Sequence, residues 1–338
     1  MGSGRFFSID GNETLGREES RAGRFLERRD YCKGHIVCHY LKALLGAPFD
    51  VYLLGAVGGD EAAETLTREM LAAGIDLRFL RRIPLKGTLF SLCLLYPDGS
   101  GGNLTTADSA SSELAPEDVE SAEAVLAPLP GEGMVLALPE VPLDARAALL
   151  RLGSRERSFR VASFTSREMA AAVSQGLLGE LDLLAMNADE ARALGGELGQ
   201  RASGTDRAMT EGLVELISSR YPGLSATVTV GERGSFCWDG RELRGERPPP
   251  VAAVGTSGAG DAHLAGVAAG LAAGLPLEDA HLLGVLMGTA SVLSEHSINP
   301  AITPRTLRSL LDSSRSAGAE RISALLALAA PRGDEELS

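Results

Sequence analysis

One stretch carries most of the chemical information in this sequence: Gly255-Thr256-Ser257-Gly258-Ala259-Gly260-Asp261-Ala262. It follows a loop and opens a long apolar segment, which the sequence predicts to be a helix. The glycines at 258 and 260 let the backbone turn several N–H groups toward one point, and a helix N-terminus adds about half a positive charge. The stretch therefore predicts an anion-binding cradle with the carboxylate of Asp261 beside it.

The position of Asp261 suggests a chemical task. A carboxylate beside a bound phosphate can take the proton of a hydroxyl that attacks the phosphorus. The same residues also fit a tight turn with a helix cap, in which Asp261 serves only the helix. A third interpretation is a serine hydrolase that uses Ser257, although Ala259 stands where a nucleophile elbow has glycine. A Walker A loop and a complete dinucleotide fingerprint are excluded, because no Gly-Lys-Ser/Thr occurs and His263 replaces the third glycine.

Composition and charge narrow the class of protein. Among 338 residues, 44% are hydrophobic and 23% are charged, which is typical of a globular protein. The formal net charge of −13 argues against nucleic-acid binding, since binding a phosphate backbone requires a basic surface. The longest apolar run, Leu264 to Leu275, ends at Pro276 and is too short to span a membrane. Four cysteines and an N-terminus without an apolar signal segment indicate buried thiols and a cytoplasmic location.

From Pro116 onward, short apolar runs alternate with helical patterns. The predicted strands cover residues 134–138, 159–162, 181–186 and 226–230. Repeated units of this kind predict a parallel sheet that is covered by helices on both faces. Earlier in the chain, the alternation over 89–96 before a Pro-Asp-Gly turn predicts a hairpin. Together with the charged segment 13–33, this hairpin predicts a small sheet apart from the main body.

Only one cluster in the sequence looks like a set of metal ligands. Cys32, His35, Cys38 and His39 follow a spacing that does not match the usual structural zinc patterns. Buried thiols and partly exposed imidazoles on an amphipathic helix explain these residues better. We therefore expect no metal centre at this cluster.

Several motifs together resemble one protein family. The stretch from Gly255 to Asp261 resembles the Asp-Thr-x-Gly-Ala-Gly-Asp motif of the ribokinase-like (PfkB) carbohydrate kinases. Three further matches occur in chain order: Leu54–Asp60 with the preceding Leu45-Gly46-Ala47, Asn187–Glu190 with the family's Asn-x-x-Glu, and Thr229–Gly234 with its Thr-x-Gly-x-x-Gly. The resemblance covers about residues 45 to 312, and the combination is far more specific than any single motif.

The resemblance implies a fold and an assembly. The fold is a doubly wound α/β domain, with a mostly parallel sheet, helices on both faces and a small β-sheet lid. We expect one domain over residues 1–332, with lid strands drawn from about 10–33 and 76–106, and a disordered acidic tail over 333–338. Because an exposed lid sheet has edges to cover and the family often pairs through it, we expect a homodimer.

The resemblance also implies an activity: transfer of the γ-phosphoryl group of ATP to a hydroxyl of a small sugar, sugar acid or nucleoside. Asp261 is then the general base, and the amides of Gly258, Ala259 and Gly260 form the anion hole. The nucleotide side is implied to comprise Thr229, Gly231, Gly234, Thr256, Asn187 and Glu190. Asn187 and Glu190 are also implied to help place Mg²⁺, with Glu190 acting mostly through water. A monovalent cation is a further possible cofactor. Without the resemblance, Asn187 and Glu190 read as a helix cap and a surface glutamate.

Two departures from the family pattern bear on function. The first Asp of the motif is Gly255 here, which leaves open a family member that binds a sugar or nucleotide without phosphorylating it. On the acceptor side, only Gly34 remains of the expected glycine pair near residues 32–37. Asn12 competes with Asp10 and Thr14 for the place of the family's substrate aspartate. We take Asn12, Gly34 and His35 as the candidate substrate-binding residues, and His35 with Lys33 suggests an anionic acceptor.

Overall fold

The computed structural model describes residues 1–98, 100–200, 204–312 and 318–329, so the predicted acidic tail over 333–338 lies outside the described residues. The strands among them are β1 (Gly2–Ile9), β2 (Gly23–Tyr31), β3 (Gly55–Val57), β4 (Leu80–Arg82), β5 (Leu89–Leu95), β6 (Gly101–Thr105), β7 (Met134–Ala137), β8 (Phe159–Ala162), β9 (Leu183–Asn187), β10 (Ser225–Thr229), β11 (Ser235–Trp238) and β12 (Leu243–Glu246).

The α-helices in the same part of the chain are α1 (Lys33–Leu45), α2 (Glu61–Ala72), α3 (Pro116–Glu120), α4 (Glu123–Leu126), α5 (Leu143–Arg155), α6 (Met169–Ser174), α7 (Ala188–Glu197), α8 (Asp206–Arg220), α9 (Ala259–Ala272), α10 (Leu277–Ser291), α11 (Pro304–Asp312) and α12 (Ala319–Ala329). Short 3₁₀ turns complete the pattern at 110–113, 177–180 and 231–233. No helix of the described residues is both long enough and apolar enough to cross a membrane.

The main sheet has six strands in the order β12-β11-β10-β9-β8-β7. Neighbours from β7 to β10 run parallel, whereas β11 and β12 continue the sheet antiparallel. Alternate residues of β9 point to opposite faces: Leu183 joins a core that contains α1, α9 and α10, and Leu184 joins a second core that contains α5 to α8. The prediction of a doubly wound sheet with helices on both faces is confirmed.

The lid is a separate four-stranded sheet in the order β2-β1-β5-β6. Strands β2, β5 and β6 fall within the stretches 10–33 and 76–106 that the sequence analysis assigned to the lid, whereas β1 lies before them. Strand β4 falls inside the second stretch but pairs with β3 instead. Strand β1 enters this sheet because it pairs in parallel with β5, and a pairing partner so distant in the sequence leaves no local signal.

Helices α9 and α10 pack closely against each other. A Cβ on Gly266 would lie 2.7 Å from the Cα of Gly284, so only glycine permits this approach. Most residues of both helices are buried, which fixes α9 as a rigid support inside the core. The first turn of α9, which carries Asp261, therefore has a defined position relative to the main sheet.

Candidate active site

The predicted site residues gather where the parallel strands of the main sheet end. Asn187 is the last residue of β9, Thr229 is the last residue of β10, and the two pair in register. Glu140 follows the end of β7 by three residues. In open α/β sheets the crevice beyond the carboxyl ends of the strands is the usual ligand site. The N-terminus of α9 contributes to the same crevice through contacts described below.

The first turn of α9 has the form of an anion cradle. Gly258 stands before the helix with φ +79°, in the left-handed region that favours glycine, and no side chain caps the helix there. The amide of Ala259 donates to the carbonyl of the exposed Thr256 over 3.3 Å. The amides of Gly260 and Asp261 have no hydrogen-bond partner in the described part of the chain. The amide of Gly258 likewise has no partner among the described residues, so the donors of Gly258, Gly260 and Asp261 are available, whereas that of Ala259 is engaged.

Asp261 forms an ion pair with the first residue of α1. Nζ of Lys33 donates to Oδ1 of Asp261 over 3.2 Å, and the Asp261 side chain is only 16% exposed. The neighbouring carboxylate raises the pKa of Lys33, so the lysine stays protonated. Among the described residues, Oδ2 of Asp261 has no hydrogen-bond donor. One oxygen is thus held in place while the other remains able to accept a proton.

Glu140 is a site residue that the sequence analysis missed. Its Oε2 accepts the backbone N–H of Lys33 over 2.9 Å, and its own φ of +78° is a strained conformation for a residue other than glycine. Burial raises the pKa of Glu140 to about 7. The available signal was its place just after a strand of the parallel sheet.

Replacing Glu140 by glutamine should raise stability at alkaline pH. Between pH 4.5 and about 7, the folded chain retains a proton on Glu140, whereas the unfolded chain, in which the carboxyl has its ordinary pKa of 4.5, releases that proton. The wild-type free energy of unfolding therefore falls as pH rises from about 4.5 to about 7. Glutamine can still accept the N–H of Lys33 and carries no charge. We expect Glu140→Gln to exceed the wild type by about 1 to 3 kcal/mol at pH 8, and by much less at pH 5, in urea unfolding.

An exposed carboxyl just before β7 offers the matched control for this experiment. Glu132→Gln removes the same charge at an exposed position, so it should change stability little at either pH. A gain in Glu140→Gln of equal size at pH 5 and pH 8 would contradict the assignment of the pH dependence to this carboxyl.

Asn187 and Glu190 form a reciprocal cap on α7. Oδ1 of Asn187 accepts the amides of Asp189 and Glu190, both over 2.9 Å, and Oε2 of Glu190 accepts the amide of Asn187 over 2.8 Å. Burial raises the pKa of Glu190, and Oε1 has no partner among the described residues. No set of three or more His, Cys, Asp or Glu residues suited to a metal occurs there. One free carboxylate oxygen fits a water-mediated contact to Mg²⁺, which keeps most of its waters in proteins.

The turn after β10 lies next to this cap. Oγ1 of Thr229 donates to the carbonyl of Met186 over 3.5 Å, and Gly231 adopts φ +64°. Gly234 adopts φ +107°, and a Cβ there would lie 2.0 Å from the carbonyl of Glu246. Glycine is therefore required at 234, where the turn passes directly against β12.

A buried hydrogen-bond network joins this turn to α9. Oγ of Ser235, directly after Gly234, bonds with Nε2 of His263 over 3.1 Å and also with Nε2 of His281. Burial lowers the pKa of His263 to about 3 and that of His281 to about 4, so both rings are neutral at physiological pH. The network holds the turn and the first turns of α9 together, and the sequence analysis did not anticipate it.

The structure places the three residues predicted for the acceptor side in two different parts of the molecule. Asn12 follows the far end of β1 and accepts the amide of Asp98 at the tip of the lid hairpin over 2.9 Å. Gly34 lies beside Lys33 in the first turn of α1. His35 is buried with its ring 4.5 Å from that of Tyr31, and burial lowers its pKa to about 3. His35 is neutral and Asp261 already balances the charge of Lys33, so neither side chain offers a free positive charge to an anionic acceptor, and that interpretation stays a prediction.

The hydrolase interpretation lacks the histidine that would serve as its base. Oγ of Ser257 donates to Oδ1 of Asp30 over 3.4 Å. No histidine of the described ranges bonds to this hydroxyl, and His263 is engaged with Ser235 instead. The Ser-His arrangement that activates the nucleophile of a serine hydrolase is therefore not formed at Ser257 among the described residues.

Restoring the family residue at 255 should destabilise the chain. An ideal Cβ on Gly255 would lie 2.8 Å from the carbonyl oxygen of Ser294, so any side chain must displace that backbone. We expect Gly255→Asp and Gly255→Ala to lose similar free energies of unfolding, about 1 to 3 kcal/mol, measured by urea unfolding. A stable Gly255→Asp variant would show that the loop has room for the carboxylate and contradict this expectation.

Comparisons with known proteins agree with this geometry. The family model described as pfkB family carbohydrate kinase matches residues 34–304. Ribokinase from Cryptococcus neoformans var. grubii serotype A, in complex with ADP, is similar with a TM-score of 0.76 and 20% identity, over 91% of this chain and 96% of that chain. Ribokinase from Giardia lamblia gives a TM-score of 0.76 at 19% identity, over 91% of this chain and 97% of that chain.

A curated relative matches over a shorter region. Fructoselysine 6-kinase of Escherichia coli (strain K12) is 45% identical over 53 residues, which is 16% of this chain and 20% of the length of that kinase. The ribokinase structures show the fold, and the family model extends over most of the chain. The predicted resemblance is confirmed: the chain belongs to the pfkB family of carbohydrate kinases.

Proposed function

We propose that this protein transfers the γ-phosphoryl group of ATP to a hydroxyl of a small sugar, sugar acid or nucleoside. One observation carries the proposal: Asp261 keeps a free carboxylate oxygen in the helix turn whose amides, at Gly260 and Asp261, lack partners. A base and an anion cradle within one helix turn are what phosphoryl transfer to a hydroxyl requires. Family membership supports the same reaction class.

The chain's own groups then have distinct tasks. Oδ2 of Asp261 accepts the proton of the acceptor hydroxyl as its oxygen attacks the phosphorus, while Lys33 keeps Oδ1 in place. The free amides of α9 stabilise the negative charge of the transferring group. When bound, ATP supplies the phosphoryl group and Mg²⁺ neutralises the charge on its phosphates.

The nucleotide is proposed to lie between the turn after β10 and the cap of α7. Gly231 is exposed there and Gly234 shapes the turn behind it, while Thr229 and Thr256 offer hydroxyls. Glu190, with Asn187 as its partner, is the proposed outer contact to Mg²⁺ through water. The name of the Escherichia coli relative, fructoselysine 6-kinase, supports an acceptor derived from a sugar. It does not specify the acceptor of this chain.

An assay of ADP release tests the proposal. The protein is incubated with ATP and Mg²⁺, with and without potassium, over a panel of sugars, amino sugars, sugar acids and nucleosides. We expect ADP release that depends on at least one acceptor. Binding of ATP without release of ADP for any acceptor would favour the family member that binds without phosphorylating, which the loss of the carboxylate at Gly255 supports.

We also propose that two copies pair through the outer face of the lid. Cross-strand register puts Phe25, Phe90 and Leu104 on that face, and their exposures are 50%, 39% and 61%. An apolar face with open sheet edges is typical of a surface that a partner covers. Sedimentation velocity should show that the wild type is a dimer and that Leu104→Glu is a monomer. A monomeric wild type would refute the pairing.

A further inference from the structure

A buried carboxylate on the lid has no role in the reaction described above. Asp30, near the end of β2, is only 6% exposed. Its Oδ2 accepts the thiol of Cys93 over 3.1 Å, and its Oδ1 accepts the hydroxyl of Ser257 over 3.4 Å. No cation pairs with Asp30 in the part of the chain that the structure describes. A carboxylate offers about four acceptor positions, so one weak and one long hydrogen bond leave capacity unused.

The lid makes room for this carboxylate at a particular place. Gly4 of β1 pairs with Asp30 across the sheet, and a Cβ on Gly4 would lie 2.8 Å from Oδ2 of Asp30. The carboxylate therefore fills the space into which a β1 side chain would point. The residues considered earlier for the substrate carboxylate, from Asp10 to Thr14, lie beyond the opposite end of β1.

The carboxylate faces the same crevice as the proposed base. Ser257, which contacts Asp30, directly precedes the cradle at Gly258. Three residues after Asp30, Lys33 holds Asp261. The lid thus contributes a carboxylate that contacts the residue directly before the cradle.

We infer that Asp30 determines acceptor specificity: it binds a hydroxyl or ammonium group of the acceptor and rejects a carboxylate at that position. This inference rests on the proposed function. A carboxylate only accepts hydrogen bonds, so the facing group must donate one. The neighbouring ion pair acts in the same direction, because Lys33 is already paired with Asp261 and offers no free positive charge to an anionic acceptor. The acceptor class is therefore a neutral polyol or an amino sugar rather than a sugar acid.

The experiment compares matched acceptors and a matched pair of variants. Wild type, Asp30→Asn and Glu27→Gln are assayed with glucose, glucosamine and glucuronate, and with the best acceptor of the wider panel. Glu27 lies exposed on the same strand and is the control for loss of one acidic charge. We expect Asp30→Asn to raise the acceptor KM by about 10- to 100-fold with the KM for ATP unchanged, and Glu27→Gln to leave both unchanged.

A deoxy series on the wild-type protein keeps the inference testable if Asp30→Asn does not fold. Removal of one particular hydroxyl from the best acceptor should cost about 10-fold or more in kcat/KM. Turnover by the wild type with an unchanged acceptor KM in folded Asp30→Asn overturns the role of Asp30 alone. A preference for glucuronate over glucose also overturns the role of Asp30. So does a deoxy series in which no hydroxyl removal lowers kcat/KM. If no acceptor of the panel binds or reacts, both the proposed function and the role of Asp30 are overturned.

Discussion

Asp261→Asn should lower kcat by at least about 100-fold, because an amide cannot accept the proton of the acceptor hydroxyl. Asparagine has the same shape and can still bind Nζ of Lys33 through its oxygen, so the first turn of α9 should keep its geometry. ATP binding, measured by calorimetry, should therefore change far less than turnover. The measurement is kcat with the acceptor that the ADP-release panel identifies.

The matched control for Asp261→Asn lies in the first turn of α7. Asp189→Asn makes the same chemical change at an exposed position of another helix start, where Asp189 pairs only with Arg192 in the described chain. It should leave kcat unchanged. Turnover near the wild-type value in Asp261→Asn would remove Asp261 as the general base and leave it as a partner of Lys33 only.

Gly258→Ala should destabilise the chain and weaken ATP binding together. Alanine in the left-handed conformation at φ +79° costs about 1 to 2 kcal/mol. In addition, its Cβ would lie 2.6 Å from the carbonyl oxygen of Ser297, so the loop before α9 must move. We expect a total loss of about 2 to 4 kcal/mol in urea unfolding, with a lower ATP affinity because the cradle amides are displaced.

Gly260 provides the control within the same motif. It lies inside α9 with helical backbone, and a Cβ there meets no atom within 4 Å. Gly260→Ala should keep the amide in place and raise helix stability by up to about 1 kcal/mol. Equal losses of stability in Gly258→Ala and Gly260→Ala would contradict the argument that the backbone conformation requires glycine at 258 but not at 260.

The sequence predicted the features that depend on neighbouring residues. The cap of α7 is an example, since Asn187 and Glu190 stand three positions apart and bond to each other's backbone. The motif Thr229–Gly234 is a second example, because Gly231 and Gly234 carry the left-handed backbone of the turn between β10 and β11 within one short segment. Local signals of this kind need no knowledge of tertiary structure.

Features that depend on distant parts of the chain were missed or misplaced. The ion pair of Lys33 with Asp261, and the contact of Asp30 with Ser257, form only after the lid and the main sheet are both in place. Asn12 stays a predicted acceptor-side residue, but its contact with Asp98 of the lid hairpin does not follow from its position after the first strand. His35 was expected to be partly exposed, since its helix gave no indication that Tyr31 and the core would cover it.

The scattered origin of the site has a kinetic consequence. Its groups come from segments as distant as β2 and α9, and the contacts that unite them span most of the chain. Contacts between residues far apart in sequence form slowly, after local helices and turns. During refolding, the circular-dichroism signal of the helices should therefore return before catalytic turnover does. Turnover is thus the strictest reporter of the native chain, and a preparation with normal helix content can still be largely inactive.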